Sequence, residues 1–337
     1  MTHIWPLPKI EVSSLRSIEE KRPIALVTGK QSWESCKNDL RLPIVVQAEP
    51  HTASLEYLDS LANSIPTEVG AIYGVGGGLV CDVAKYIGWK NSLPVTVIPT
   101  ALSVDGFFTA LVAARQGGVV EYITTGPVER LIFDWAVIAR APKRVRGAAI
   151  LELLTMVTGL LDWRYAADHN KNTSDTRYQA WAASVAAGIA KQAFQIAAGV
   201  GEGKEDAMRN LMDLVAMEVQ LTNQLGHNRP QEGSEQYFAY AIESKITDGQ
   251  AVPYADMVGP GILIAGALHK QDIQNIRRTL EYVGVRLDQL PVDLMEETLI
   301  ELPKYAREHN LPYSIVHDLD LNRSQARDIL RETGFIS

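Results

Sequence analysis

The stretch Ala71-Ile-Tyr-Gly-Val-Gly-Gly-Gly-Leu-Val-Cys-Asp-Val-Ala-Lys85 constrains this chain more than any other. An apolar run of strand length meets three consecutive glycines and then helical sequence, so strand, tight turn and helix must follow one another without a linker. Lacking a Cβ, Gly76, Gly77 and Gly78 can take positive φ and let backbone N–H groups approach a pyrophosphate. A helix starting near Leu79 aims the positive end of its dipole at the same anion. A turn that only joins strand to helix would also use glycines, but the surroundings favour a nucleotide cradle. Asp82 and Lys85 lie three apart on the helix, and Val95-Thr-Val-Ile-Pro-Thr100 supplies another buried strand ending in polar residues. The spacing G-x-G-x-x-G is absent, so the Rossmann fingerprint is not the motif.

Upstream, Ile24–Gly29 and Pro43–Glu49 read as strands with a helix between them, and Ser54–Ser64 reads as the next helix. Strands alternating with short helices predict a parallel sheet covered on both faces, with ligands at the carboxyl ends of the strands. Thr28, Gly29, Glu49, Gly76–Gly78 and Thr100 then share one rim. Glu49 there can bond a ribose hydroxyl, which favours NAD over NADP, or it is a solvated loop residue. Gly117-Gly118 is expected to turn a hairpin between Thr109–Arg115 and Val119–Thr124, and Leu131–Ile138 to return to the sheet. After Pro142 helical periodicity takes over through Arg331, with breaks at Asn170–Ser174, Gly199–Gly203, Gly226–Gly233 and Thr247–Pro253. The pattern predicts an α/β dinucleotide-binding domain over residues 1–146 and an all-α substrate domain over 147–337.

Two domains also suit a chain of 337 residues. Its net charge of −8 argues against nucleic acid as the main partner, because neutralising phosphates takes a basic surface. Cys36 and Cys81 are the only cysteines, too few for a disulfide framework or a zinc–thiolate cluster, and they suit a reducing cytoplasm. The N-terminus lacks a basic run followed by an apolar one, and no apolar run reaches the roughly 18 residues needed to span a bilayer. The expected partner is a small molecule, and assembly into a homo-oligomer is compatible with the sequence.

Several separated motifs carry a resemblance: Gly74–Lys85, Pro99-Thr-Ala-Leu-Ser-Val-Asp-Gly106, Phe133–Pro142, Asp162-Trp163 and Arg229-Pro-Gln-Glu-Gly-Ser-Glu235. In that order they resemble sn-glycerol-1-phosphate dehydrogenases, within the superfamily of iron-containing alcohol dehydrogenases, glycerol dehydrogenase and dehydroquinate synthase. The resemblance implies a dehydroquinate synthase-like fold, an α/β nucleotide domain followed by a helical one with the active site between them. It implies that Gly76, Gly77, Gly78, Asp82 and Lys85 belong to the dinucleotide site, that Thr100 and Ser103 lie near the nicotinamide and phosphates, and that Asp105 lies at the substrate. Hydride transfer between NAD or NADP and a ketone such as dihydroxyacetone phosphate would be the chemistry, with a divalent metal polarising the carbonyl.

The family's metal ligands are substituted. It uses an aspartate, a histidine closing Gly-Ser-Glu-His and a second histidine in His-Gly-Glu. Here Glu152 stands ten residues before Asp162, Gln236 closes Gly233-Ser-Glu-Gln236, and Tyr254 opens Tyr254-Ala-Asp256. A neutral amide is a weak ligand and a phenol must first lose a proton, so tight retention of a transition metal is not expected. His169 and His227 offer no evident replacement. In a metal-free site Tyr254 and Gln236 can donate to a carbonyl oxygen while Glu152 orients a hydroxyl or water. Alternatively the three fill and hydrogen-bond across a vacated cavity. Three functions fit: an NAD(P)-dependent oxidoreductase, a metal-free lyase or cyclase of the dehydroquinate synthase side, and a nucleotide-binding protein without catalysis. Intact nucleotide motifs favour the first.

Overall fold

The structure, a computed structural model, describes residues 4–116, 119–246 and 252–336. In chain order the elements are strands β1 (Lys9–Val12) and β2 (Ile24–Thr28), helix α1 (Lys30–Cys36), β3 (Ile44–Ala48), α2 (Leu55–Asn63), β4 (Ala71–Gly76), α3 (Gly78–Asn91), β5 (Val95–Pro99), β6 (Leu111–Gln116), β7 (Val119–Thr124), β8 (Arg130–Phe133), α4 (Trp135–Ala139) and α5 (Lys143–Arg146). Helices α6 (Ile150–Asp168), α7 (Ala180–Glu202), α8 (Glu205–Leu225), α9 (Ser234–Lys245), α10 (Tyr254–Leu268), α11 (Ile273–Val283), α12 (Val292–Glu308) and α13 (Arg323–Glu332) follow. The chain divides into two compact units. One holds the residues up to Ala149 with Gly203–Met212, the other Ile150–Glu202 with the residues from Asp213 onward.

The first unit is built on a parallel sheet in the order β1-β8-β5-β4-β2-β3. β2, β4 and β5 are buried throughout, as runs of apolar residues in a two-sided parallel sheet should be. Ile24, Leu26, Ala71, Tyr73, Val75, Ile98 and Ile132 share one core with Leu15, Cys36 and Val137. The order in which strands are laid down switches between β2 and β4: β3 lies to one side, β5 and β8 to the other. Thr28 pairs with Val75 and Gly76 with Pro99, so the strand ends finish level at this reversal, where open α/β sheets take ligands.

Three readings of the sequence are corrected. Leu131–Ile138 is not one strand: β8 stops at Phe133 because the Asp134 carboxylate accepts from Ala136 N–H at 2.9 Å and caps α4. The break at Gly199–Gly203 is narrower, since α7 runs through Gly199 and Gly201 to Glu202 and ends at Gly203, whose φ is +76°. β1, whose residues alternate charged and apolar, was not anticipated. β6 and β7 form the antiparallel hairpin; its Gly117-Gly118 turn lies outside the described residues, as does most of the Thr247–Pro253 break.

The second unit is helical. α9 and α10 pack so closely that a Cβ on Gly261 would lie 2.4 Å from the Glu235 carbonyl oxygen. Glu296, buried on α12, accepts from Arg327 Nε at 2.7 Å and forms an ion pair with Arg323, and so ties down α13. Among the described residues no helix is long and apolar enough to cross a membrane. Gly261→Ala should therefore destabilise the helical unit by about 1–3 kcal/mol, because backbone rather than a flexible side chain blocks the methyl. Urea denaturation followed by circular dichroism measures it.

Candidate functional site

The glycine turn after β4 is where the first unit concentrates its polar atoms. None of Gly76, Gly77 and Gly78 has positive φ, which corrects the expectation from sequence. They are needed for space instead. A Cβ on Gly76 would come within 2.7 Å of Val80 Cγ2, and one on Gly78 within 2.9 Å of Val104 Cγ2. Gly77 is different: it is the N-cap of α3, in extended backbone, and a Cβ there would meet only Ser103 Oγ at 3.4 Å. That hydroxyl is shut off from solvent and has no hydrogen-bond partner. A buried polar atom without a partner, next to a helix N-terminus, fits an anion's oxygen.

The rest of the rim is already engaged. Thr28 Oγ1 donates to the Val75 carbonyl at 2.7 Å, Thr100 N–H donates to the Gly76 carbonyl at 3.1 Å, and the Thr100 and Ser32 hydroxyls bond at 3.1 Å. Glu49 is exposed, and its Oε1 accepts from Lys30 N–H at 3.0 Å, covering the first turn of α1 where Gly29 offers no side chain. Lys85 is buried, and its ammonium donates to Gly106 O at 3.0 Å, to Thr109 Oγ1 at 3.3 Å and to Leu111 O. It thereby fastens the segment from the 3-10 turn Asp105–Phe107 to β6 onto α3. Burial pushes the Asp82 carboxyl up to about 6; Lys85 opposes the rise and Asp105 adds to it.

In the helical unit Tyr254, at the start of α10, donates its hydroxyl proton to Gln236 Oε1 in the first turn of α9. Glu152 sits buried in the first turn of α6. Beneath the loop that leads to Gln236 lies an arrangement the sequence did not reveal. Asp162, wholly buried, accepts from Ser234 N–H at 2.7 Å, Ile315 N–H at 2.9 Å and His269 Nε2 at 3.0 Å. Burial opposes ionisation, yet the His269 hydrogen bond and charge, with those amides, hold the carboxyl below its ordinary value. Arg229 donates to Tyr313 O at 2.7 Å, to Asp162 O at 3.3 Å and to Tyr237 Oη at 3.3 Å. Glu235, pushed up to about 8 by burial and by the neighbouring Asp162 charge, accepts from Gly233 N–H and the Thr158 hydroxyl. The only advance signals were the Asp162-Trp163 and Arg229–Glu235 motifs, which carry no hint of each other.

His169 lies exposed on the Tyr165 ring at 4.1 Å between centroids. His227 packs its edge on Trp163, and burial, with Arg229, lowers its pKa. Among the described residues no group of three or more His, Cys, Asp or Glu side chains is placed to hold a metal ion. Gln236, Tyr254 and Glu152 supply an amide oxygen, a phenol already bonded to it and one carboxylate, a set that does not fit a transition metal.

Asp162→Asn should cost about 2–4 kcal/mol of stability, since an amide puts two N–H donors and one acceptor where three donors converge. Urea denaturation of the two proteins would show it, with Leu263 and its buried neighbours providing an unchanged apolar core for comparison.

Residues 13–142 match the iron-containing alcohol dehydrogenase family. Glycerol-1-phosphate dehydrogenase [NAD(P)+] of Hyperthermus butylicus is 29% identical over 360 residues, spanning 100% of both chains. The enzyme of the same name from Thermofilum pendens is 28% identical over 89% of this chain and 85% of its own. Among solved structures, a probable glycerol dehydrogenase from Sinorhizobium meliloti 1021 superposes with a TM-score of 0.70 at 15% identity, covering 99% of each chain. Sulfoacetaldehyde reductase from Bifidobacterium kashiwanohense, in complex with NAD+, gives 0.68 at 14%, covering 98% of this chain and 99% of its own. At those identities the structures share a fold.

Proposed function

We propose that the chain is an NAD(P)-dependent oxidoreductase of the iron-containing alcohol dehydrogenase superfamily, glycerol-1-phosphate dehydrogenase-like within it, acting on a small hydroxy or keto compound. The observation that carries the reading is the solitary Ser103 hydroxyl beside Gly77 at the N-terminus of α3. A diphosphate oxygen supplies the missing acceptor, and the helix dipole favours its charge. NAD or NADP held there would supply hydride chemistry at the substrate carbon. Gly76 and Gly78 set the approach, Thr100 lines the rim, and Lys85 and Asp82 keep the segment that bears Asp105 against α3. Glu49, held by Lys30 N–H, keeps its second oxygen for a ribose hydroxyl, which favours NAD. Asp105 is placed at the substrate. Buried thiols at Cys36 and Cys81 suit a cytoplasmic protein.

Gly77→Val and Ser103→Ala test the cradle. Calorimetry with NADH and NADPH should show loss of binding in the first variant and roughly tenfold weakening in the second, the worth of one hydrogen bond to a charged acceptor. Unchanged affinity in folded Gly77→Val protein would overturn the assignment.

The substrate we infer is a phosphorylated ketone of the kind the relatives' name implies, such as dihydroxyacetone phosphate, reduced without a metal. When hydride reaches a carbonyl carbon, the oxygen gains charge and must take a proton or a hydrogen bond. Tyr254 is the proton donor once substrate draws its hydroxyl away from Gln236 Oε1, Gln236 offers its amide N–H to the carbonyl oxygen, and Glu152 orients a hydroxyl or water. Tyr254→Phe should lower turnover by roughly two orders of magnitude, with NAD(P)H affinity unchanged. Equal turnover in the variant, or a metal that survives mild chelation and disappears in Gln236→Ala, would refute the metal-free mechanism.

A further inference from the structure

A capping box opens α13. Asn322 N–H donates to Gln325 Oε1 at 2.9 Å, and Gln325 N–H donates to Asn322 Oδ1 at 3.0 Å. Glutamine suits that third position because its amide oxygen accepts without titrating. The 3-10 turn Ile315–Asp318 is capped in the same way, but with histidine in glutamine's place. Ser314 N–H donates to His317 Nδ1 at 3.2 Å, so that nitrogen carries no proton and the ring is neutral. The peptides on either side of Ser314 are both engaged. Tyr313 O accepts from Arg229 at 2.7 Å, Ile315 N–H donates to Asp162 Oδ1 at 2.9 Å, and one residue earlier Pro312 O accepts from the Tyr237 hydroxyl at 2.9 Å. Asp162 accepts in turn from Ser234 N–H at 2.7 Å, and Gln236 N–H donates to Gly233 O at 3.1 Å. Through two hydrogen bonds at Asp162, the turn that His317 caps reaches the first turn of α9, where Gln236 bonds Tyr254.

We propose that His317 is a positioning residue for the Gln236–Tyr254 pair: while neutral it latches residues 312–318 onto Asp162 and Arg229, and a proton on Nδ1 opens the latch. A protonated Nδ1 points its own N–H at the Ser314 N–H, turning the acceptor of the cap into a second donor. Freed from the cap, Ile315 N–H leaves Asp162 with two of its three donors, and the loop that carries Gln236 loses an anchor. The neighbours set where this happens. His317 is half-buried, with the Tyr313 ring stacked at 5.1 Å and the Tyr237 ring edge-on at 6.5 Å between centroids. Burial holds its pKa below the ordinary value, and the Arg307 guanidinium on α12, which donates to His317 O at 2.9 Å, adds to the shift; Asp162 and Asp318 oppose it. Asp318 accepts from the Tyr165 hydroxyl at 2.8 Å and from that of Tyr313, while His169 and Lys171 lie 6.3 and 5.4 Å from the Tyr313 ring centre. Because the folded pKa is the lower one, the latch contributes stability that is whole above about pH 6.5 and is lost as the pH falls through the folded value. The link to turnover rests on the proposed roles of Tyr254 and Gln236; the latch itself does not.

Turnover of the whole protein with NADH or NADPH and dihydroxyacetone phosphate, followed from about pH 8 down to about pH 5, reads the latch. Wild-type kcat should fall roughly tenfold as His317 takes up its proton, the worth of one hydrogen bond, with NAD(P)H affinity unmoved. His317→Gln supplies the acceptor that α13 uses and does not titrate, so it should keep the neutral-pH turnover and lose the acid fall. His317→Leu, which neither accepts nor titrates, should show the low turnover at every pH. Hydrogen exchange of the amides of residues 229–236, corrected for the intrinsic effect of pH, gives a readout that needs no substrate: protection should drop in acid in the wild type and hold in His317→Gln. An acid fall of equal size in wild type and His317→Gln, or loop protection that follows pH alike in both, overturns the latch. If neither protein turns over any ketone, the proposed function fails instead, and the exchange measurement alone decides the latch.

Discussion

A carboxylate buried without exposed surface must be met by donors, and in the helical unit Asp162 meets that demand by gathering the chain around itself. Its three donors come from the start of α9, from the 3-10 turn Ile315–Asp318 and from the end of α10. Gly233 sits over it because a Cβ there would be 2.5 Å from Asp162 Oδ2. Arg229 repeats the device one layer away, fastening the same loop to the Tyr313 carbonyl while Tyr237 donates to Pro312 O at 2.9 Å. The loop from Arg229 to Glu235 is thus fixed at both ends by charge-assisted hydrogen bonds, which are stronger than neutral ones. Gln236 inherits that rigidity.

The α/β unit reaches comparable definition by removing atoms. Besides Gly76 and Gly78, Gly88 in α3 leaves room for Val95, since a Cβ there would overlap Val95 Cγ2 at 2.1 Å. α3 therefore lies close against the ends of β4 and β5, and its N-terminus is brought up to the rim with little freedom. Gly77 alone of the triplet faces space that no apolar side chain fills. Two methods of fixing backbone, hydrogen bonds to a buried charge and close contact through glycine, hold the two sets of candidate residues in place.

Much of the α/β unit was legible because its signals are local. β2, β4 and β5 are apolar runs closed by glycine or proline, and α2 and α3 follow from spacing and punctuation. β1 was illegible because an edge strand has no continuous apolar run to show. Leu131–Ile138 misled because Asp134 in an apolar octet looks like a blemish until its bonds to Leu15 and Ala136 are seen. Gly199 and Gly201 looked like a break, yet α7 buries Ala197, Val200 and Gly201, and tertiary packing overrode propensity. Lys85 was noticed for its place on the helix, but its acceptors come from 21 to 26 residues downstream. Asp162 was beyond reach for the same reason, with partners 72, 107 and 153 residues away.

The pair Gln236–Tyr254 closes on itself, as two metal-ligating histidines would not. Imidazole ligands gain their stability from the metal, and without it two neutral rings would face each other with unmatched donors or acceptors. An amide and a phenol need no third party: one accepts, the other donates, and the bond joins the first turns of α9 and α10 directly. Gly261 and the Glu235 backbone bring those two helices to near contact, so the space between them suits a hydrogen bond better than a gap. The bond that closes the helix pair therefore also fixes the orientation of the phenol.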